Sequence, residues 1–268
     1  MARAEAILDS EAQTWARVQR RGYSLNEHWT VVFADGTRAF LKTAHIPPSP
    51  QWVRDERAVL EAIDGSFRPR LLGFEDGPVP LLVLEDLVGA YWPPPWREGD
   101  VELVLATLAE VAALRLALPR LELDDDWRAI AADPEPFLAT GLRDADWLER
   151  NLAGLIDHAD AAPVAGDSVL HCDVRSDNLC IRDGRCLLVD WNHARLGNAK
   201  YDIAFWAPSL ALEHGPPPGS FGVDELAVSV AGFFAARAGL PKPRGAPAVR
   251  DFQRAQAAVA LDWLESSG

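Results

Sequence analysis

With 268 residues, 49% of them apolar, the chain can bury a sizeable core as one large domain or two modest lobes. Its 26 basic residues against 40 acidic ones give a formal net charge of −14. That charge argues against nucleic acid or an anionic membrane surface as partner, and it would suit a cationic small molecule as well as simple solubility. The first two dozen residues carry acids and no apolar core region, so neither a signal peptide nor a membrane span is expected and the cytoplasm is the expected compartment. Cys172, Cys180 and Cys186 are odd in number and lack C-x-x-C spacing, so reduced thiols are expected.

In chain order, Ile7, Leu8, Trp15 and Val18 recur at helical spacing and predict an amphipathic helix over 3–20. After Gly22, Tyr23, Ser24, Leu25 and Asn26, two β-rich runs (29–34 and 37–43) flank Asp35-Gly36, the signature of a two-residue hairpin turn. Counting back from such a turn sets Lys42 opposite Trp29. The chain holds only Lys42, Lys200 and Lys242 among many arginines, so a retained lysine beside a loop is a candidate for phosphate. A proline-rich break at Pro47, Pro48 and Pro50 precedes a predicted helix over 51–64 with Glu56 in its middle and Gly65 beyond its end. Strands are predicted over 70–74 and 79–84, the second apolar enough to be central.

The next segment, Tyr91-Trp92-Pro93-Pro94-Pro95-Trp96, is stiffened by its prolines and either lines a substrate mouth or plugs a helical lobe. A long helix, apolar nearly all round, is predicted from Val101 to Leu114. Asp124-Asp125-Asp126 reads as a helix N-terminal charge cluster or as an acidic rim. Further helices are predicted over 147–160 and, after Pro216-Pro217-Pro218, near 223–239 and 247–265.

The most informative stretch is 169–202. Asp183-Gly184 separates the β-formers 179–182 and 185–189, a second hairpin signal. Setting Arg182 against Arg185 brings Asn178 level with Val189 and so beside Asp190 at the open end. An amide oxygen and a carboxylate converging there suit Mg²⁺, which takes few protein oxygens and fills its shell with phosphate and water. Asp173 lies five residues before Asn178, with His171 ahead of it, which completes H-x-D-x-x-x-x-N.

His171, Asp173, Asn178 and Asp190, followed by Tyr201-Asp202-Ile203-Ala204, resemble the catalytic and metal-binding segment of the aminoglycoside phosphotransferase family, small-molecule relatives of the protein kinases. The resemblance implies an α+β, bilobal, protein-kinase-like fold, with a nucleotide-binding lobe over 1–87 and a mostly helical lobe over 88–268. It implies Asp173 at the acceptor hydroxyl, Asn178 and Asp190 on Mg²⁺, and Lys42 on the phosphates of ATP or GTP. Glu56 would hold Lys42, with Glu61 the other contender. The phosphate loop has one glycine, so Gly22 with the Ser24 and Asn26 side chains would have to cradle the phosphates. The backbone from Glu85 to Leu87 would meet the base. His171 would brace the loop and Asp202 would organise it.

Only twelve residue steps separate Asp190 from Asp202, leaving no room for a phosphorylated activation loop, and Cys172 stands where protein kinases carry an arginine. A small hydroxylated acceptor is therefore expected rather than a protein. The alternative is a catalytically idle kinase-like protein that binds a nucleotide or a partner, although the lysine, the catalytic aspartate and both metal ligands are present.

Overall fold

The computed structural model describes residues 1–18, 26–243, 246 and 248–267. The chain divides into two compact units: Met1–Pro93 with Glu102–Thr107 and Ser176–Ala194, and Pro94–Val101 with Leu108–Arg175 and Arg195–Gly268.

The first unit is built on a five-stranded antiparallel sheet of β1 (Ala12–Arg17), β2 (Glu27–Phe33), β3 (Arg38–Thr43), β4 (Leu71–Glu75) and β5 (Leu81–Glu85), in the order β1-β2-β3-β5-β4. Alternation sorts its side chains. Val31, Phe33, Ala39, Leu41, Leu81 and Val83 form one apolar cluster with Ala4 of the N-terminal helix α1 (Ala2–Leu8). Each large side chain buried this way contributes about 1.5–3 kcal/mol. Leu81, Leu82, Val83 and Leu84 are all buried, as in a strand covered on both faces of its sheet.

The expected helix over 3–20 is corrected: α1 ends at Leu8, where Asp9 turns left-handed (φ 49°) and its N–H closes on the Glu5 carbonyl. Residues 12–17 then form edge strand β1, with Trp15 opposite Val31. Pairing with β2 overrides the helical spacing that Trp15 and Val18 suggested.

The first hairpin is also corrected, by one residue. Its loop has three residues, Ala34-Asp35-Gly36, closed by the Phe33 N–H on the Thr37 carbonyl at 2.8 Å, with Gly36 at φ 85°. Such a loop ends in a residue that must be left-handed, which glycine supplies. Lys42 therefore faces His28, and Trp29 faces Leu41. Because paired residues share a sheet face, this decides what surrounds Lys42.

Helix α2 (Ser49–Ala62) has proline in its first turn and buries Val53, Glu56, Val59 and Leu60 along one face. The first unit also holds the hairpin of β7 (Leu179–Arg182) and β8 (Arg185–Leu188); the intervening β6 (Ser168–Leu170) belongs to the second unit. Arg182 faces Arg185 across Asp183-Gly184, whose φ values of 52° and 72° give the twisted two-residue turn that Asp-Gly favours.

Helix α3 (Asp100–Ala112) buries a single stripe, Val104, Thr107, Leu108 and Val111, with Glu102, Ala106, Ala109 and Glu110 exposed. It is amphipathic rather than apolar all round, because Glu102 and Glu110 fall with the small residues Ala106 and Ala109 on one side. The second unit takes in the two ends of α3, outside residues 102–107, and is otherwise built from α4 (Asp126–Ala132), α5 (Glu135–Ala139), α6 (Ala145–Ala161), α7 (Tyr201–Leu212), α8 (Ala227–Ala238) and α9 (Val249–Ser266), and β6 pairs antiparallel with β9 (Arg195–Gly197). Its core gathers Trp127, Phe137, Leu148, Leu155, Phe234, Leu261 and Trp263, with α8 packed on α9 and α4 on α8. Asp126 stands in the first turn of α4, and Arg237 bonds both Asp124 (2.5 Å) and Asp126 (2.6 Å). Among the described residues no helix is long and apolar enough to cross a membrane.

Candidate active site

A cavity of about 490 Å³ opens in the first unit, within the size range of small-molecule sites. Its walls are the face of β2 and β3 that carries His28, Thr30, Arg38, Phe40 and Lys42, the segment from Leu84 to Ala90, and Asp177, Asn178 and Asp190 from the second hairpin. The opposite face of the same strands packs into the apolar cluster, so strand alternation places polar side chains on the cavity and apolar ones in the core.

Lys42 is the centre of charge. It is 3% exposed and Glu56 is 1% exposed. Its Nζ donates to Glu56 Oε2 at 2.5 Å and also to Asp190 Oδ1. Burial works against the ammonium charge, but Asp190 and Glu56 outweigh it and hold Lys42 charged, above its ordinary value. Burial pushes the Glu56 carboxyl up, aided by the Asp190 charge and opposed by Lys42. Glu61, the other contender for Lys42, instead pairs with Arg57 at 2.7 Å on the surface, four residues away on the same helix. Position decides between them: Glu56 is on the buried face of α2 and Glu61 is not.

The second hairpin sets Asn178 and Asp190. The Val189 N–H donates to the Asn178 carbonyl at 2.9 Å, continuing the β7–β8 ladder to the open end. Asp190 then turns left-handed (φ 65°), an uncommon conformation for a residue with a Cβ. It leads into a short 3₁₀ turn, Trp191–His193, where buried Trp191 donates through Nε1 to the Leu188 carbonyl at 2.9 Å. One amide and one carboxylate at a cavity wall are hard oxygen donors, the set that suits Mg²⁺ with phosphate and water completing its shell. The residues present fit that ion. Asp177 also lines the cavity; its neighbour Asn178 could have flagged it, but which way its side chain faces was not readable from spacing.

The segment between Leu84 and Leu87 lines the same cavity. The Glu85 carboxylate itself is engaged by Arg70 at 2.9 Å and Arg182 at 3.0 Å. Burial pushes it up, and the two guanidiniums prevail and hold it below the ordinary range. The Leu87 carbonyl accepts from the Ala90 N–H at 3.1 Å. The aromatic, proline-rich stretch is divided in its roles: Trp92 lines the cavity, while Trp96, in the second unit, meets Trp206 edge-on at 5.5 Å and donates through Nε1 to Glu213 at 2.9 Å. Ser24 and Gly22 lie outside the described residues; Asn26 is buried at the start of β2.

Asp173 belongs to the second unit, on a loop that Asp202 organises. Asp202, in the first turn of α7 and 3% exposed, accepts the His171 N–H at 2.7 Å and the Cys172 N–H at 2.8 Å. Burial, with a smaller push from the Asp173 charge, raises its carboxyl to about 6 against the pull of those two amides. Between them Cys172 is held left-handed (φ 63°). The Asp173 N–H reaches His171 Nδ1 at 3.3 Å, and Arg175 Nε lies 3.5 Å from Asp173 Oδ1. His171 is fully buried. Among the described residues no disulfide joins the three cysteines. Burial pushes the Cys172 thiol well up and the Cys180 thiol to about 12, which favours the protonated form of both.

The sequence model of the phosphotransferase enzyme family (APH) matches residues 19–257. The chain belongs to that family. It is a phosphotransferase of the kind that acts on hydroxyl groups of small molecules. No curated protein sequence matches it. Among solved structures it is similar to a thermostable mutant of the aminoglycoside phosphotransferase APH(4)-Ia in ternary complex with ADP and hygromycin B, at 15% identity and a TM-score of 0.61, covering 100% of this chain and 98% of that one. It is similar to the choline kinase LicA from Streptococcus pneumoniae at 11% identity and a TM-score of 0.61, covering 99% and 97%. A choline/ethanolamine kinase family protein from Mesorhizobium loti aligns at 16% identity and a TM-score of 0.60, covering 97% and 99%. At these identities the likeness is one of fold: this phosphotransferase shares the α+β, protein-kinase-like architecture.

Proposed function

We propose that this phosphotransferase moves the γ-phosphate of ATP or GTP to a hydroxyl of a small, cationic molecule, with aminoglycosides and other amine-bearing natural products as the first class to test. The observation that carries the reading is Lys42, held charged by Glu56 and Asp190 on the wall of a cavity it shares with Asn178. Phosphoryl transfer asks little covalent chemistry of a protein; it asks for alignment and for compensation of phosphate charge.

In this reading Lys42 binds phosphate oxygens, and Glu56 keeps it aimed. Asn178 and Asp190 hold Mg²⁺, which when bound neutralises charge on the phosphates. The backbone of Glu85 to Leu87 receives the base while the Glu85 side chain, tied to two arginines, keeps that segment in place. Asp173 accepts a hydrogen bond from the acceptor hydroxyl and orients it, and Asp202 preserves the loop by gripping the two amides that precede it. The net charge of −14 favours an acceptor that carries amines.

The test is a Mg²⁺ titration of ATP binding by calorimetry on the wild type, Asn178→Ala and Asp190→Asn. The reading predicts that each variant needs at least about tenfold more Mg²⁺ for half-maximal nucleotide binding, in line with the loss of one ligand. An unchanged Mg²⁺ requirement in both variants contradicts it.

A further inference from the structure

The phosphate end of the cavity contains more than the lysine. The Lys42 ammonium is already engaged by two carboxylates, Glu56 and Asp190, and another cation on the cavity wall, Arg38, lies 3.3 Å from Asp86. A polyphosphate entering there needs donors beyond Lys42, on the protein as well as on a metal ion. Register supplies one. His28 is the cross-strand partner of Lys42, so their side chains leave the sheet on the same face with Cα atoms about 5 Å apart. Both line the cavity.

The imidazole is also held in place. Its ring centroid lies 5.1 Å from that of Phe40, tilted by 40°, and Phe40 stands two residues before Lys42 on the same face of β3. A histidine always presents at least one ring N–H, whichever tautomer or charge state it adopts, so it can donate to a phosphate oxygen under any of them. The competing explanation is packing alone, with His28 serving as a ring packed on Phe40. That explanation would be equally well served by phenylalanine, which makes the two separable.

We infer that His28 donates a hydrogen bond to a phosphate oxygen of the bound nucleotide, beside Lys42, and so is a nucleotide-positioning residue. The inference rests on the nucleotide reading of this cavity. It would have been missed from the sequence, because a two-residue turn at Asp35-Gly36 sets Trp29, not His28, opposite the lysine.

The experiment compares adenosine, AMP, ADP and ATP binding, with Mg²⁺ present throughout, in the wild type, His28→Phe and His28→Gln. Phenylalanine keeps the ring against Phe40, and glutamine restores an N–H donor. The expected result is ATP and ADP binding about tenfold weaker in His28→Phe, adenosine within twofold of wild type, and recovery of most of the loss in His28→Gln. Adenosine weakened as much as ATP in His28→Phe would make the residue a packing group and overturn the inference. So would ATP binding unchanged in both variants. A wild type that gains no affinity from phosphates would overturn the nucleotide reading itself, an outcome visible before any variant is made.

Discussion

Asp202 gives a prediction in which stability and loop geometry pull in opposite directions. Asp202→Asn keeps the shape of the side chain, removes its charge, and leaves one carbonyl oxygen to serve two amides, those of His171 and Cys172. One buried amide donor loses its acceptor, which costs about 1–3 kcal/mol. Against that stands the cost of ionising a carboxyl that is 3% exposed. Carrying an aspartate from 3.8 to about 6 corresponds to about 3 kcal/mol between the fully protonated and fully ionised limits. The folded-state value is raised, so the favourable contribution of Asp202 is complete below 3.8 and is lost as pH rises through about 6. Within a practical range, from about pH 4.5 to about pH 7.5, the wild type should lose about 2 kcal/mol relative to Asp202→Asn. Urea denaturation of both proteins at half-unit steps measures this directly. The asparagine variant should be the less stable protein at the acid end and draw level with or pass the wild type at the alkaline end. Two stability curves that run parallel across the range would refute the reasoning, since they would mean that the buried carboxyl does not change its charge there.

Two other substitutions test the geometry around Lys42. Glu56→Gln leaves Lys42 with Asp190 as its only carboxylate and should lower kcat/KM for nucleotide about 100-fold, about 2.7 kcal/mol of lost transition-state stabilisation, whereas Glu61→Gln on the exposed side of α2 should stay within twofold. Steady-state kinetics on the two variants, with equal effects in both as the contrary result, checks the assignment. Gly184→Val forces a β-branched residue to φ 72° at the hairpin turn and should cost about 1–2 kcal/mol in chemical denaturation. It should also weaken Mg²⁺-dependent nucleotide binding, because the same turn sets the register of Asn178 and Asp190.

What the sequence made legible follows from how local each determinant is. The β7–β8 hairpin was readable because its two-residue Asp-Gly turn fixes every pair behind it, down to Asn178 and Val189. Glu56 was readable as a mid-helix acid, but choosing it over Glu61 needed the buried face of α2, which only packing defines. The β2–β3 hairpin carries the same Asp-Gly dipeptide, yet Ala34 joins its loop, and that single residue moved Lys42 from Trp29 to His28. The run from Thr14 to Arg17 is a strand only because β2 lies alongside it, a contact that no helical or alternating spacing announces. Strand β9, three residues long, takes its structure from pairing with β6 and has no local signature of its own. The cavity-lining positions of Asp177 and Trp92 likewise depend on which way neighbouring backbone is turned.

We propose that Asp173 orients the hydroxyl of a small acceptor for phosphoryl transfer. The most direct measurement is nucleotide turnover across a panel of amino-sugar antibiotics and other small alcohols, with and without Mg²⁺, on wild type and on Asp173→Ala. The account predicts turnover that depends on one class of acceptor, requires the metal, and falls at least about 100-fold in Asp173→Ala while nucleotide binding through Lys42 is retained. Acceptor-dependent turnover that survives in Asp173→Ala at the wild-type rate would contradict it.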